Sequence, residues 1–267
     1  MTEEPSVIFV FDYLCSFADL SRRRKSRRMV SHQCCSNPPT LDPSSGVGHI
    51  EQLGGLSTYV TGSSSAKHAI ILTSDIFGYE APKLRKLADE VAAAGYYVVV
   101  PDFIREPFVL ENIAILPLEV WMKDHGTDKG FEESKLIIET LRSKGATAVG
   151  AAGFCWGGKV VSELSKYELI EASVLLHPTW VTVDDIKGAK VPISILGAEI
   201  DNLCPPELLK QYEEVLTAQS KVDGFVKIFP KVAHGWTVRY SVEDAAAVKS
   251  AEEAHMNLLE WFAQFVK

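Results

Sequence analysis

The chain has 267 residues, 46% of them hydrophobic and 23% charged, with a formal net charge of −8. That length suits one large α/β domain, and the acidic balance gives no support for nucleic-acid binding. No apolar run reaches the roughly 18 residues of a membrane span.

Residues 1–45 read as an N-terminal extension, disordered or non-essential, with organelle targeting and a basic docking patch as alternatives. Glu3 and Glu4 precede an apolar patch, Ser6 to Leu14, and the basic run Arg22 to Arg28 follows it. That order is the reverse of a secretory signal, so a cytoplasmic location is expected. Met29 offers a second start for the compact protein. Cys34-Cys35-Ser36-Asn37-Pro38-Pro39 reads as an extended lead-in with two free surface or half-buried thiols. Five cysteines, at 15, 34, 35, 155 and 204, are odd in number and show no paired spacing. That argues against a disulfide framework, and no His clusters near them in sequence, so no metal site is expected.

A regular pattern begins near residue 46 and runs to 267 as one domain. His49 to Leu53 and Leu56 to Val60 flank Gly54-Gly55, a β-hairpin signal. Lys67 to Thr73 reads as a central strand, Pro82 to Ala94 as a helix closed by Gly95, and Tyr96 to Val100 as the next strand. Residues 103–126 have no period and read as a long lid-like excursion over the sheet. Phe131 to Lys144 reads as a helix. Ala146 to Ala152 is a buried strand that leads into Gly153-Phe154-Cys155-Trp156-Gly157-Gly158 and a helix to Lys166. Strands at Glu171 to Leu176, Val191 to Gly197 and Phe225 to Phe229 follow. Helices at Pro205 to Ser220 and Val242 to Val266 complete the pattern. This alternation predicts an α/β fold with a mostly parallel sheet of about 7–8 strands and helices on both faces.

In such sheets ligands bind beyond the carboxyl ends of the strands. Cys155, Asp201 and His234 each directly follow a predicted strand. Their order matches the nucleophile, acid and base of an α/β hydrolase triad. Gly-x-Cys-x-Gly is the strand–turn–helix elbow that presents a nucleophile at a helix N-terminus, where the dipole favours a thiolate. His234 would take the thiol proton, and Asp201 would fix its tautomer. The backbone N–H groups of Trp156 and Ile76 are the expected oxyanion donors. Taken singly, each residue has a plainer reading: Cys155 as a buried thiol in a turn, Asp201 as a helix cap, His234 as a core histidine. Cys204 reads as structural, with approach to Cys155 and oxidative inactivation as the alternative.

Thr73-Ser74-Asp75-Ile76-Phe77-Gly78, the Gly153–Gly158 elbow, Gly197-Ala198-Glu199-Ile200-Asp201 and Ala233-His234-Gly235-Trp236 together resemble the dienelactone hydrolase family from about residue 45 onward. The opening at Cys34-Cys35 resembles its plant members. The resemblance implies a monomeric hydrolase of small-molecule esters or lactones that uses no metal and no organic cofactor. In bacterial members the acid before Ile-Phe-Gly is Glu and helps hold the thiol; here it is Asp75, one methylene shorter. Those members bind a substrate carboxylate with two arginines, and Arg105 and Arg239 lie near the corresponding places. Phe77, Trp121, His177 and Trp236 complete the expected substrate-binding set. Two other readings stay open. One is a mixed-linkage β-glucanase, as some plant relatives are labelled, using carboxylates among Asp75, Glu80, Glu106 and Asp201. The other is a non-catalytic α/β hydrolase that binds a small ligand.

Overall fold

A computed structural model describes residues 33–110, 114, 116–219 and 221–267. The Ser6–Leu14 patch, Cys15, the basic run and Met29 lie outside the described residues. Eight strands form one sheet in the order β1-β2-β4-β3-β5-β6-β7-β8. They are β1 (His49–Leu53), β2 (Leu56–Thr61), β3 (His68–Thr73), β4 (Tyr97–Pro101), β5 (Ala148–Phe154), β6 (Ala172–Leu176), β7 (Ile193–Ile200) and β8 (Gly224–Ala233). β1–β2 and β2–β4 pair antiparallel, and the remaining pairs are parallel. The Gly54-Gly55 hairpin forms as expected, with both glycines at positive φ.

Seven helices are described: α1 (Pro82–Ala93), α2 (Leu118–Trp121), α3 (Thr127–Ser143), α4 (Trp156–Leu164), α5 (Val183–Lys187), α6 (Pro206–Ala218) and α7 (Ala245–Phe265). The sheet divides the core in two because successive strand side chains point to opposite faces. Ala69 and Ile71 of β3 join α3, α4 and α6 through Ile137, Val160 and Leu209. Ile70 and Leu72 join α1 and α7 through Leu87, Leu258 and Phe262. The central strands β3 and β5 are buried along almost their whole length, the near-continuous apolar run expected of parallel strands covered on both sides.

Several sequence boundaries move. α3 starts at Thr127 rather than Phe131, so the excursion is shorter. Within it α2 buries Leu118 and Trp121, a turn too short for its periodicity to register. α5 was unmarked by apolar period; its signal is the capping box between Thr182 and Asp185. β8 continues through Pro230 to Ala233. Proline is tolerated there because β8 is a sheet edge, and a bulge between Ala198 and Ile200 adjusts the register.

The elbow between β5 and α4 constrains the fold most tightly. Cys155 has φ 50° and ψ −108°, a strained conformation for a residue with a Cβ. It is accommodated because its neighbours are small. A Cβ on Gly153 would stand 2.1 Å from the carbonyl oxygen of Gly157, and one on Gly157 would stand 2.2 Å from that of Thr73. Backbone cannot yield as a flexible side chain can. Gly153→Ala is therefore expected to destabilise the protein by about 3 kcal/mol. Chemical denaturation checks this; a midpoint matching wild type would contradict the packing described.

Candidate active site

The elbow places Cys155 at the carboxyl end of β5, the strand between β3 and β6. Thr73 pairs with Gly153 in the parallel β3–β5 ladder, so the loop after β3 leaves the sheet beside the elbow. That brings Ile76 to the same rim as Trp156, the first residue of α4, whose N–H has no intrahelical acceptor. The excursion ties to both. Phe108 N–H donates to Ile76 O at 2.9 Å, and Trp156 Nε1 donates to His125 O at 2.9 Å.

His234 follows β8 and Asp201 follows β7. His234 Nδ1 and Asp201 Oδ2 are 2.8 Å apart, and both side chains are buried. Asp201 Oδ1 accepts from the N–H groups of Leu203 and Cys204, so the carboxylate is fixed on both sides. A ring nitrogen of His234 lies within 4.8 Å of Cys155 Sγ. Since Nδ1 is committed to Asp201, this is Nε2, which has no hydrogen-bond partner. The expected thiol, imidazole and carboxylate therefore meet at one rim of the sheet.

The sulfur of Cys34 completes the cluster, 3.3 Å from Cys155 Sγ and fully buried. The expectation of surface or half-buried thiols in a loop-like lead-in fails here: Cys34 and Cys35 belong to the core. Cys34, Cys155 and His234 are distant in sequence but converge in space. The sulfur in contact with Cys155 is that of Cys34 rather than Cys204. Residues 33–37 form a strap over Cys155. Arg239 Nη1 donates to the carbonyls of Cys34 and Ser36 at 2.7 and 2.8 Å. Gln33 Oε1 accepts from Asn202 N–H, beside Asp201. Thr179 Oγ1, on the loop after β6, lies 3.3 Å from Cys155 Sγ.

The remaining candidates divide into two groups. Asp75, Phe77, His177, Trp236 and Arg239 surround the cluster. His177 stacks edge-on against the rings of His234 and Trp236 at 5.0 and 5.3 Å, and its Nε2 pairs with Thr237 Oγ1 at 2.8 Å. Asp75 Oδ1 accepts from Phe77 N–H, and Oδ2 is 3.3 Å from Arg239 Nε. That ion pair is close in distance but not aligned as a hydrogen bond. Arg239 is thus committed to the strap and to Asp75. Arg105 and Trp121 form the second group, outside the cluster. Arg105 is exposed and paired bidentately with Glu133. Trp121 anchors the excursion, stacked at 3.9 Å on His125 and donating to Glu106 O. Arg105 is engaged by Glu133, and Arg239 is buried, with Nη1 bonded to the strap and Nη2 without a hydrogen-bond partner. Sequence reasoning missed Cys34, Thr179 and Thr237. Thr179 follows a strand end and could have been found by that rule; Cys34 had no local signal.

Burial opposes charge on Cys155, but the Cys34 thiol donating to it, His234 and Arg239 together hold it well below its ordinary value. Cys34 shifts well above its ordinary value because it gives its hydrogen to Cys155 and is buried. Burial likewise opposes charge on His234, yet the Cys155 thiolate and Asp201 push it up to about 9. Burial and the neighbouring His234 and Arg239 cations keep His177 neutral, well below its ordinary value. These shifts favour a thiolate at Cys155 beside an imidazolium at His234.

A profile of the dienelactone hydrolase family matches residues 56–266. The chain belongs to the dienelactone hydrolase family. Among its relatives is a protein named endo-1,3;1,4-beta-D-glucanase from Zea mays, 38% identical over 216 residues, 78% of this chain and 70% of that protein. A carboxymethylenebutenolidase homolog from Xenopus tropicalis is 33% identical over 225 residues, 82% of this chain and 91% of that one. A dienelactone hydrolase structure from Anabaena variabilis shares the fold with a TM-score of 0.61 at 13% identity, covering 86% of this chain and 100% of that chain. Among the described residues no helix is long and apolar enough to cross a membrane.

The charge assignment predicts a pH titration. The ultraviolet absorbance of the Cys155 thiolate should persist as pH falls from about 9, where His234 titrates, through neutrality, and disappear only in acid. His234→Ala and Cys34→Ala should each move the midpoint upward, since each removes a group that favours the anion. A signal rising only above pH 9.0, the ordinary thiol value, would contradict the ion pair.

Proposed function

We propose that the protein hydrolyses small esters or lactones through a covalent acyl-thiol intermediate on Cys155. The observation that carries this reading is the strained Cys155 within 4.8 Å of an imidazole whose other nitrogen bonds Asp201 at 2.8 Å. The thiolate attacks the substrate carbonyl. The N–H groups of Ile76 and Trp156 hold the developing oxyanion, a donor arrangement that acts strongly in a site shielded from water. The His234 imidazolium protonates the leaving oxygen, then as neutral imidazole activates water to release the acid. Asp201 keeps Nε2 pointed at the sulfur through both half-reactions. Thr179 and Cys34 stabilise the resting thiolate, and Cys34 must move aside for a carbonyl to reach it.

The pairing of Arg105 with Glu133 and the burial of Arg239 favour a substrate without a carboxylate at those positions. A cavity of about 580 Å³ borders His234 from the side of β8 and α7, lined also by Asn37, Trp236 and Tyr240. It has room for a small acyl or alcohol group.

The name of the maize relative raises glucan hydrolysis as a second reading. Glycosidases need two carboxylates facing a cleft. Asp75 and Asp201 are both buried and engaged with internal partners, which weighs against it. Purified protein assayed on aryl esters, lactones and mixed-linkage β-glucan separates the readings. Hydrolysis of an ester or lactone is expected, abolished by Cys155→Ala and lowered on the order of a thousandfold by Asp201→Asn. Cleavage of β-glucan that survives Cys155→Ala, with no ester turnover, would overturn the proposal.

A further inference from the structure

The family reaction requires one reactive sulfur at this site, yet the structure supplies two. Cys34 and Cys155, 121 residues apart, place their Sγ atoms 3.3 Å from each other in a fully buried contact. A disulfide needs the sulfurs closer by roughly 1 Å. The strap that carries Cys34 is pinned at both carbonyls flanking Cys35 by Arg239, so the second sulfur is held in position. The other described cysteines are differently placed. Cys204 contacts Tyr212 and is buried with its thiol pushed up to about 12, and Cys35 is shifted up to about 11 by burial. Neither is recorded in contact with Cys155.

We infer that Cys34 is a resolving cysteine: an organic hydroperoxide or hydrogen peroxide converts Cys155 and Cys34 into an intramolecular disulfide that reversibly silences the hydrolytic site. The inference rests on the reading of Cys155 as the reactive thiolate. In the first step the Cys155 thiolate attacks the terminal peroxide oxygen. An S–O bond forms and the O–O bond breaks. The departing alkoxide or hydroxide takes its proton from the His234 imidazolium. Cys155 becomes a sulfenic acid. In the second step the Cys34 sulfur attacks the Cys155 sulfur. The S–S bond forms, the S–O bond breaks, and the leaving hydroxide carries off the Cys34 proton as water. Two electrons pass from the two sulfurs to the peroxide, and a dithiol reductant restores both thiols. The oxidant reaches the sulfur by the opening that admits a substrate carbonyl. With the disulfide formed, the strap is covalently closed over the nucleophile.

The test treats the fully reduced chain, freed of metal by a chelator, with stoichiometric hydrogen peroxide. Intact mass should fall by two hydrogens. Digestion should yield one cross-linked peptide pair joining Cys34 to Cys155. Aryl-ester hydrolysis should fall to background and return on treatment with dithiothreitol. In Cys34→Ser the same treatment should leave one oxygen at Cys155 with no cross-link, and excess peroxide should carry that sulfenic acid to the sulfinic acid, which dithiothreitol does not reduce. Oxygen added to Cys155 without a cross-link in the wild type would overturn the inference. So would a cross-link to another cysteine, or equal recovery of Cys34→Ser and wild type by dithiothreitol after excess peroxide. The mass readout needs no turnover. If ester hydrolysis proves independent of Cys155 while the Cys34–Cys155 cross-link forms, the hydrolase reading fails alone. If hydrolysis depends on Cys155 and no cross-link forms, only the resolving role fails.

Discussion

The site depends on keeping a negative sulfur where water is scarce. An isolated thiolate in such surroundings would take up a proton rather than remain charged. Here the opposing contributions come from close range: the Cys34 thiol at 3.3 Å, the His234 ring and the Arg239 guanidinium. Asp201 then balances the imidazolium, and Asp75 lies against Arg239. The result is a chain of alternating charges, Asp201, His234, Cys155, Arg239 and Asp75, in which each member compensates the burial of the next. Attraction across a few ångströms is far stronger in a shielded interior than at a surface. The loops after β3, β5 and β7 contribute one member each, and the loop after β8 contributes two, His234 and Arg239.

Arg239 links this electrostatic arrangement to the access of substrate. It sits beside the thiolate yet spends its Nη1 donors on the strap carbonyls. Those two bonds hold the strap in place over Cys155. The shorter Asp75 fits the same picture. Its carboxylate closes a turn on Phe77 N–H and faces the guanidinium, while a proton donor for the sulfur is provided from elsewhere in the chain. The side chain that meets the Cys155 sulfur is Cys34, at 3.3 Å.

The sheet, the hairpin, the elbow and the order of the three principal side chains were legible in the sequence because each has a local signature. Buried parallel strands announce themselves as apolar runs, and the elbow needs glycine at 153 and 157 for contacts measured in a single turn. The strap was not legible. Cys34 meets Cys155 across 121 residues, and its neighbours Asn37, Pro38 and Pro39 read as loop whether or not that loop folds onto a site. The arginines misled for a related reason. Residue type and approximate position suggested carboxylate binding, but the partner that claims each guanidinium, Glu133 for Arg105 and the strap for Arg239, is fixed only by the fold. α5 escaped because five residues carry too little period, although its capping box was present in the sequence.

The central claim is that the sulfur of Cys155 forms a bond to the acyl group during turnover. Rapid acid quench after mixing with a slowly deacylating aryl ester, followed by peptide mass mapping, observes that bond directly. The account predicts an acyl group on the peptide containing Cys155, formed at the rate of the phenol burst and trapped longer in Asp201→Asn. An acyl group found only on another residue, or steady turnover with Cys155 unmodified throughout, would contradict it.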